Sequence, residues 1–421
     1  MMRPKIAPMG WNSWDCYGAA VTEKQVRRNA DFMAANLKRY GWEYVVVDIQ
    51  WYEPGAASHE YRPFADLCMD GYGRLIPAPN RFPSSAGGKG FAPLAGYVHS
   101  LGLKFGIHIM RGIPRQAAHG NCPVLGTDMT ARDAARFNSI CVWNPDMYGV
   151  KANEAGRAYY ESVFRLYAEW GVDFIKCDDI CRELPREEEE LLMISEALQS
   201  CGRDMILSLS PGPALLEKAE LYKQTANMWR ITDDFWDDWK LLYAMFERAE
   251  KWSAHAGAGH YPDADMLPIG PIRQDMGVNN RTALTPDEQI TMMTLWSIMR
   301  SPLIIGGEMT GFDGFTMSLI TNEGVLKMHR GSRNARQVFR RSEGGNEYIV
   351  WTAGDREGGS YIACFNAGDE DGRISFPAEE LELDGQALRA AELWSGDTVE
   401  FRGAVSADIP AHGAKAFYVH E

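Results

Sequence analysis

Short apolar runs alternate with longer amphipathic stretches from the N-terminus to about residue 325, and this alternation most constrains the fold. The apolar runs are rich in β-branched residues, as is typical of strands buried on both faces. Eight runs are predicted to be strands: Ile6–Trp11, Tyr44–Ile49, Leu103–Met110, Val172–Asp178, Met205–Ser210, Met228–Thr232, the segment around Gly259–Met266, and Pro302–Gly306. Six stretches between them are predicted to be helices: Thr22–Tyr40, Phe91–Leu101, Ala155–Glu169, Glu187–Ser200, Asp237–Lys251 and Pro286–Arg300.

The alternation predicts parallel strands joined by right-handed crossovers, and eight such units indicate a (β/α)8 (TIM) barrel. A doubly wound open sheet is the alternative, but it usually carries a glycine-rich phosphate turn after its first strand. Here the first strand runs into Met9–Trp14 (MGWNSW) instead. We therefore expect an α/β chain with a TIM barrel over residues 1–328, and a long functional excursion over residues 111–150.

After about residue 331 the pattern changes to short alternating runs separated by turns of Gly, Asp and Asn. Glu347–Thr352 and Ser360–Asn366 are examples. This pattern predicts an antiparallel β-sandwich domain over residues 329–421. The domain has few aromatic residues beyond Trp351, Tyr361 and Trp394, so we expect it to pack against the barrel rather than bind a ligand.

Composition excludes several classes of protein. The chain has 43 Lys and Arg against 57 Asp and Glu, a net charge of −14, which opposes binding to nucleic acid or anionic lipid. No apolar stretch reaches 18 residues, so no membrane span is expected. The first residues lack the apolar run of a signal peptide, and the eight scattered cysteines are typical of free thiols. We expect a cytoplasmic protein, and assembly into a homo-oligomer is left open.

Polar residues at the C-terminal ends of the predicted strands are the candidate functional groups, because TIM barrels place their chemistry there. They are Asp48, His108, Arg111, Lys176, Asp178, Asp179, Ser208, Ser210, Arg230, Asp233, Asp234, Asp263 and Asp265, with Trp11 and Trp14 after the first strand. No cluster of His, Cys and Glu has the spacing of metal ligands, so neither a metal nor a cofactor is expected. Paired carboxylates beside tryptophan rings suit sugar chemistry, in which one carboxylate attacks the anomeric carbon and the other protonates the leaving oxygen.

Each acidic group also has a structural interpretation. Asp178 and Asp179 are suitable N-caps for the next helix. The run Arg230–Trp239 contains four Asp, of which we expect at least two only to favour a helix start. Glu187–Glu190 is interpreted as a solvated helix start, and a single His such as His108 is more often a wall residue than a ligand. These alternatives stay open at this point.

Five motifs occur in order along the predicted barrel. They are Met9–Trp14 (MGWNSW), Val47–Trp51 (VDIQW), Phe174–Asp178 (FIKCD), Trp229–Asp234 (WRITDD) and Asp263–Leu267 (DADML). Together they resemble glycoside hydrolase family 27, which contains retaining α-galactosidases and α-N-acetylgalactosaminidases. The C-terminal β domain is similar to that family's C-terminal sandwich. The resemblance implies a glycosidase that acts on oligosaccharides or other glycosides.

The resemblance also implies residue roles. The nucleophile falls on Asp178, and the acid/base falls on Asp234, with the adjacent Asp233 as the alternative. Lys176 matches a lysine that hydrogen-bonds sugar hydroxyls, Arg230 an arginine beside the acid/base, and Asp265 a carboxylate near the subsite. Trp11 matches the ring at the sugar face, and Trp51 is counted among the substrate-binding residues. His108 belongs to the pocket wall, where the family often has Tyr, and Ser208 lies where the family distinguishes a 2-hydroxyl from a 2-acetamido group.

One position departs from the family. The usual motif after the second strand is a pair of Asp that binds the galactose O4 and O6 hydroxyls, whereas here Asp48 is followed by Ile49. An apolar side chain facing a primary alcohol leaves that hydroxyl unpaired, at a cost of roughly 1–3 kcal/mol. β-L-Arabinopyranose lacks this CH2OH group and otherwise shares the ring configuration of α-D-galactose. Some members of the family act on it.

The sequence therefore predicts a retaining, exo-acting β-L-arabinopyranosidase with weaker α-D-galactosidase activity. An ordinary α-galactosidase, or an α-N-acetylgalactosaminidase, is the alternative within the same class. A non-catalytic sugar-binding protein is the alternative from another class, and the intact pair of Asp178 and Asp234 argues against it.

Overall fold

The computed structural model describes residues 3–62, 64–182, 186–276, 280–356, 358–383 and 387–420. In chain order the strands are β1 (Met9–Asn12), β2 (Tyr44–Val47), β3 (Lys104–Met110), β4 (Ile113–Pro114), β5 (Ala135–Ile140), β6 (Met147–Val150), β7 (Phe174–Asp178), β8 (Ile206–Leu209), β9 (Met228–Arg230), β10 (Tyr261–Asp263), β11 (Leu303–Ile305), β12 (Arg333–Glu343), β13 (Asn346–Gly354), β14 (Ser360–Asn366), β15 (Gly372–Pro377), β16 (Leu388–Glu392), β17 (Thr398–Phe401), β18 (Ala404–Ile409) and β19 (Ala414–Val419). The helices are α1 (Trp14–Tyr17), α2 (Glu23–Asn36), α3 (Ala92–Ser100), α4 (Arg115–His119), α5 (Ala131–Ala134), α6 (Glu154–Trp170), α7 (Glu188–Ser200), α8 (Ala219–Thr225), α9 (Trp239–Ser253), α10 (Pro286–Met299), α11 (Gly314–Thr321) and α12 (Glu323–Gly331).

Eight parallel strands form one sheet in the order β10-β9-β8-β7-β3-β2-β1-β11. The two ends of this sheet meet just after β10, where the Leu267 N–H donates to the Ile304 carbonyl at 2.8 Å. The Leu267 carbonyl in turn accepts from the Gly306 N–H at 2.9 Å, which closes the sheet into a barrel. The predicted eight strands and the TIM barrel are confirmed. Most observed strands are a few residues shorter than predicted, because the chain leaves the hydrogen-bonded sheet before the apolar run ends.

Side-chain caps mark the start of several helices. Thr22 and Gln25 form a capping box at the start of α2, and Thr285 and Glu288 form another at the start of α10. The predicted helix over Thr22–Tyr40 ends earlier, because α2 stops at Asn36 and a short 3-10 turn follows it. α10 is buried along most of its length, since it lies between the barrel and the C-terminal domain.

The excursion over residues 111–150 begins at the C-terminal end of β3. It contains the small antiparallel sheet β4-β6-β5 and the short helices α4 and α5, where the sequence suggested only a long loop. Thr130 and Asp133 form a capping box at α5, so part of this segment has its own local structure.

The C-terminal residues form a six-stranded antiparallel sheet, β12-β13-β14-β19-β16-β17, and a two-stranded sheet, β15-β18. An apolar cluster that includes Val350, Ile374 and Phe376 fills the space between them. This arrangement confirms the predicted β-sandwich.

The sandwich packs on the barrel through side chains of α9 and α10. Trp239 stacks on His412, with ring centroids 3.7 Å apart, and the Trp394 indole donates to Thr294 Oγ1 at 3.0 Å. Trp394 is therefore a packing residue, as expected. In the part of the chain that the structure describes, no helix is both long and apolar enough to cross a membrane.

Candidate active site

The first part of the candidate site surrounds Asp178, the last residue of β7. Its Oδ2 lies 3.0 Å from Nε2 of His108 on the adjacent strand β3, and its Oδ1 accepts the Asp179 N–H at 2.9 Å. Burial raises the pKa of Asp178, but the hydrogen bond from His108 and the charges of His108 and Lys176 outweigh burial and lower this pKa to about 2. Asp178 is therefore an ionised carboxylate held in a fixed orientation.

The second part is a buried ion pair between β2 and β7. The Lys176 ammonium donates to Asp48 Oδ2 at 2.9 Å, and the Asn12 amide donates to the same oxygen at 2.7 Å. Burial raises the pKa of Asp48, but the Lys176 charge and these hydrogen bonds lower it below its usual value. Burial lowers the pKa of Lys176, whereas the charges of Asp48 and Asp178 raise it by more. Lys176 thus contacts Asp48 directly and acts on Asp178 through its charge.

The third part joins β9 to the segment after β10. One guanidinium nitrogen of Arg230 lies 3.0 Å from Asp234 Oδ1 and 2.6 Å from Asp265 Oδ2. Asp265 is buried and also accepts the Phe235 N–H, while the Asp234 side chain is 60% exposed. Burial and the neighbouring carboxylates of Asp234 and Asp263 raise the pKa of Asp265, against the charge of Arg230. Arg230 therefore holds one buried acid and one accessible acid together.

The two adjacent candidates for the acid/base face different partners. Asp234 contacts Arg230, whereas Asp233 forms an ion pair with Arg182 at 2.7 Å on the loop after β7. The other two Asp of this run have structural roles: Asp238 caps α9, and Asp237 pairs with Arg273. The expectation that at least two of the four Asp serve only the helix start is wrong, because Asp238 alone caps α9 and the other three form ion pairs.

The helix-cap interpretation of Asp178 and Asp179 is wrong, because α7 begins ten residues further on at Glu188. Asp179 instead pairs with Arg111 at 2.8 Å. The interpretation of Glu187–Glu190 as a solvated run is also wrong at both of its ends. Glu187 and Glu190 are buried, and both face the Arg111 guanidinium, which compensates their charges.

The tryptophans differ from the expected arrangement. Trp11 is 0% exposed in the core, and its indole donates to the Gly307 carbonyl at 2.9 Å, so its ring has no free face for a sugar. Trp51 is also 0% exposed, donates to the His108 carbonyl and packs on Phe91. Trp14, three residues after Trp11, is partly exposed. The structure therefore places Trp11 and Trp51 in the core and leaves Trp14 as the accessible ring of the first motif.

Ser208 and Ile49 are the two remaining residues of the predicted substrate-binding set. Lys176, Ser208, Arg230 and Asp265 line one cavity inside the barrel. Ile49 follows Asp48 directly and its side chain is 1% exposed within the apolar core, so it presents no hydrogen-bonding group. Among the residues that the structure describes, no group of three or more His, Cys, Asp or Glu is arranged to hold a metal ion.

Sequence reasoning did not assign a role to two residues of this region. Asn12 binds Asp48, and it lies within the first motif, so its polar side chain at a strand end was a usable signal. Tyr61 lies in the long connection between β2 and α3, stacked on Trp14 with ring centroids 5.8 Å apart. No local pattern in the sequence marks it, because only the folded connection brings it to the site.

A TIM barrel whose mouth holds an ionised buried carboxylate, an accessible second carboxylate and a partly exposed tryptophan has the groups of a glycoside hydrolase. Comparison with known proteins agrees. A family model described as alpha galactosidase A matches residues 149–330, and one described as the alpha galactosidase C-terminal beta sandwich domain matches residues 345–419.

Individual relatives cover nearly the whole chain. A crystal structure of a GH27 β-L-arabinopyranosidase from Geobacillus stearothermophilus is 52% identical, covers 99% of this chain and 97% of its own, and superposes with a TM-score of 0.95. Curated α-galactosidases of Cyamopsis tetragonoloba and Coffea arabica are 26% and 28% identical over 97% of this chain and cover 85% and 92% of their own lengths. The chain belongs to glycoside hydrolase family 27 and is a glycosidase.

Proposed function

We propose that this glycosidase removes terminal β-L-arabinopyranosyl residues from glycosides and acts more weakly on α-D-galactosides. The observation that carries the proposal is Ile49, an apolar side chain directly after the sugar-binding candidate Asp48. In the proposed binding mode the primary hydroxyl of a galactoside points towards Ile49, which cannot pair it, whereas an arabinopyranoside has no such group. The Geobacillus relative, named a β-L-arabinopyranosidase, supports the same assignment.

The proposed reaction retains the anomeric configuration. A carboxylate oxygen of Asp178 attacks the anomeric carbon while the bond to the leaving oxygen breaks, and that oxygen takes the proton of Asp234. The product of this step is a covalent glycosyl-enzyme. Asp234, now a carboxylate, removes a proton from water, and the water oxygen attacks the anomeric carbon and displaces Asp178 as a carboxylate.

Other contacts support these roles. The lowered pKa of Asp178 keeps it ionised for attack. Arg230 holds Asp234 in position while leaving it accessible, which favours Asp234 over Asp233 as the acid/base. Asp48 and Lys176 present a carboxylate and an ammonium that suit two sugar hydroxyls. Trp14 replaces Trp11 in the role of the ring that packs on the C–H face of the sugar.

The test is the hydrolysis of 4-nitrophenyl β-L-arabinopyranoside and 4-nitrophenyl α-D-galactopyranoside by the unmodified protein, Ile49→Asp and the apolar control Ile49→Val. We expect arabinoside preference in the unmodified protein and in Ile49→Val, and a shift of preference towards galactoside in Ile49→Asp. The shift corresponds to a relative change in kcat/KM of about 5- to 150-fold, since one hydrogen bond to a buried hydroxyl contributes roughly 1–3 kcal/mol. Galactoside preference in the unmodified protein would contradict the proposal.

A specific observation keeps α-galactosidase as the second candidate: the curated relatives that match 97% of this chain carry that name. In that case another group binds the primary hydroxyl, and Ile49→Asp does not improve galactoside hydrolysis. Cleavage of only a third substrate, the 4-nitrophenyl 2-acetamido-2-deoxy-α-D-galactopyranoside, would indicate an α-N-acetylgalactosaminidase. Binding without cleavage of any of the three would indicate a non-catalytic sugar-binding protein.

We also propose a cytoplasmic location for this glycosidase. All eight cysteines are free thiols, and Cys16, Cys141, Cys177, Cys181 and Cys364 are buried. Unpaired thiols are typical of a reducing compartment. Assembly into a homo-oligomer remains a prediction open to measurement.

A further inference from the structure

Three aromatic side chains from separate parts of the chain meet near the carboxylates. The ring of Tyr61 lies nearly parallel to that of Trp14, at 5.8 Å and 13°, and packs at 5.6 Å and 42° against Trp143. Trp14 follows β1, Tyr61 lies in the β2–α3 connection, and Trp143 lies in the connection between β5 and β6. Loops from three points of the barrel mouth thus build one aromatic wall, defined here as Trp14, Tyr61 and Trp143.

The wall is held in place from behind by His59. Its Nε2 lies 3.0 Å from the Trp14 carbonyl, and its Nδ1 lies 3.1 Å from the Asp275 carboxylate. The His59 ring also packs edge-on against Trp14 and Trp236. These contacts fix the base of the wall, so Tyr61 is presented on a supported surface rather than on a free loop.

The acidic groups of the site act on the Tyr61 phenol through their charges. Burial raises the pKa of Tyr61, and the carboxylates of Asp178, Asp48 and Asp234 raise it further, so this phenol stays protonated and can donate a hydrogen bond. Among the residues that the structure describes, the hydroxyl has no hydrogen-bond partner. Tyr61 is partly exposed, so this unbonded phenol is available to donate a hydrogen bond to a ligand that lies beside the Trp14 ring.

We propose that Tyr61 contacts the substrate: its ring closes the pocket over the bound glycosyl group, and its hydroxyl donates a hydrogen bond to a sugar oxygen. This inference rests on the proposed function, because it takes the space between the three carboxylates as the glycosyl site. It adds a specificity-determining residue from outside the strand ends.

The experiment compares Tyr61→Phe and Tyr61→Ala with the unmodified full-length protein. Tyr72→Phe is the matched control, because Tyr72 lies in the same connection and is 37% exposed. Initial rates are measured on 4-nitrophenyl β-L-arabinopyranoside and 4-nitrophenyl α-D-galactopyranoside. Binding of free L-arabinose and D-galactose is measured by calorimetry, and thermal unfolding checks that each variant is folded.

We expect Tyr61→Phe to lower kcat/KM and monosaccharide affinity about three- to tenfold, as for loss of one hydrogen bond. Tyr61→Ala is expected to lower both by about 30- to 100-fold, mainly through KM, because it also removes the ring. Tyr72→Phe is expected to stay within about twofold of the unmodified protein, a change too small to count as a lost hydrogen bond. The unfolding temperature of Tyr61→Phe should match that of Tyr72→Phe.

Two results would overturn the inference about Tyr61. In the first, both Tyr61 variants match the control. In the second, Tyr61→Phe matches the control and only Tyr61→Ala is impaired, which means that the hydroxyl does not contact the sugar. Neither result affects the proposed function if the unmodified protein cleaves the arabinoside. If the unmodified protein binds a monosaccharide but cleaves neither glycoside, the proposed function fails, and the binding data alone decide the role of Tyr61. If it binds and cleaves nothing, both proposals fail.

Discussion

The two sides of the barrel mouth hold their carboxylates in different ways. On the side of β2, β3 and β7, Asp48 and Asp178 are each bonded to cationic or N–H donors and have lowered pKa values. On the side of β9, Arg230 is shared between buried Asp265 and Asp234, which is 60% exposed. The first side keeps a negative charge in place, and the second leaves one acid accessible to solvent.

This difference fits the two tasks that the proposed retaining mechanism assigns to its carboxylates. A nucleophile must be ionised and correctly oriented before substrate binds, and preformed hydrogen bonds achieve that. An acid/base must give up a proton and take one back within each turnover, so it cannot be locked into one ionisation state. The following predictions test whether the two sides of the mouth are as different in chemistry as they are in structure.

The largest effect is expected from Asp178→Asn. Loss of this proposed nucleophile should lower kcat about a thousandfold or more, equivalent to at least about 4 kcal/mol of barrier, for every leaving group. Asp234→Asn should instead lose activity mainly on poor leaving groups, by about 10²- to 10⁴-fold, and keep more on 4-nitrophenyl glycosides, which need little protonation. Kinetics on a series of leaving groups would check this. Equal sensitivity of both variants to the leaving group would refute the assigned roles.

A smaller effect is expected on stability from two buried acids in the mouth. Asp48→Asn removes the partner of the Lys176 ammonium and should lower the free energy of unfolding by about 3 kcal/mol, as for a broken buried pair. Asp15 is also buried, but burial and the charge of Asp265 raise its pKa well above the usual value, and its Oδ2 has no hydrogen-bond partner in the described part of the chain.

Asp15→Asn therefore replaces a neutral acid with a neutral amide of the same shape. It should change the free energy of unfolding by less than about 1 kcal/mol. Denaturant unfolding of both variants at pH 7 measures the difference. A loss on Asp15→Asn as large as that on Asp48→Asn would mean that Asp15 is ionised in the folded protein.

The third prediction concerns pH. In the proposed mechanism Asp178 attacks as a carboxylate, and His108 helps to hold the pKa of Asp178 at about 2. His108→Ala removes that hydrogen bond, so the acid limb of kcat/KM against pH should move upward by about one to two pH units. His108→Gln keeps an N–H donor and should move the limb less. Superimposable profiles for the three proteins would argue against control of Asp178 by His108.

The lowered pKa of Asp178 also makes the stability of the folded protein depend on pH. Folding lowers the pKa of Asp178 below the unfolded value of about 3.9, so its ionised form stabilises the folded state above about pH 4. This contribution is lost as the pH falls from about 4 towards 2. His108→Ala should therefore narrow the difference in stability between pH 5 and pH 3, measured by thermal unfolding.

Much of the fold was predictable because periodicity is a local property. The eight barrel strands and the C-terminal sandwich follow from runs such as Tyr44–Val47 and from the change of pattern near residue 331. The excursion after β3 was predicted only as a long segment. Its three strands have two, six and four residues, and they depend on pairing with each other rather than on a period.

The candidate site was predictable only in part, for a related reason. Residues at strand ends, such as Asp48 and Asp178, are brought together by any closed parallel barrel. Position within a motif does not determine which tryptophan is accessible. Trp11 and Trp14 are three residues apart, yet the chain turns into α1 between them and buries one ring while leaving the other partly exposed.

The amino-acid sequence by itself determined the barrel, the sandwich and the strand ends from which the acids project, since apolar period and residue type act over a few neighbours. Only the tertiary structure decided which partner each acid has: His108 for Asp178, Lys176 for Asp48, and Arg230 for both Asp234 and Asp265. It also brought Tyr61 to Trp14 from a connection without regular pattern. Charge and hydrogen bonding act over a few ångströms in space, and the folded chain sets those distances between residues that are far apart in sequence.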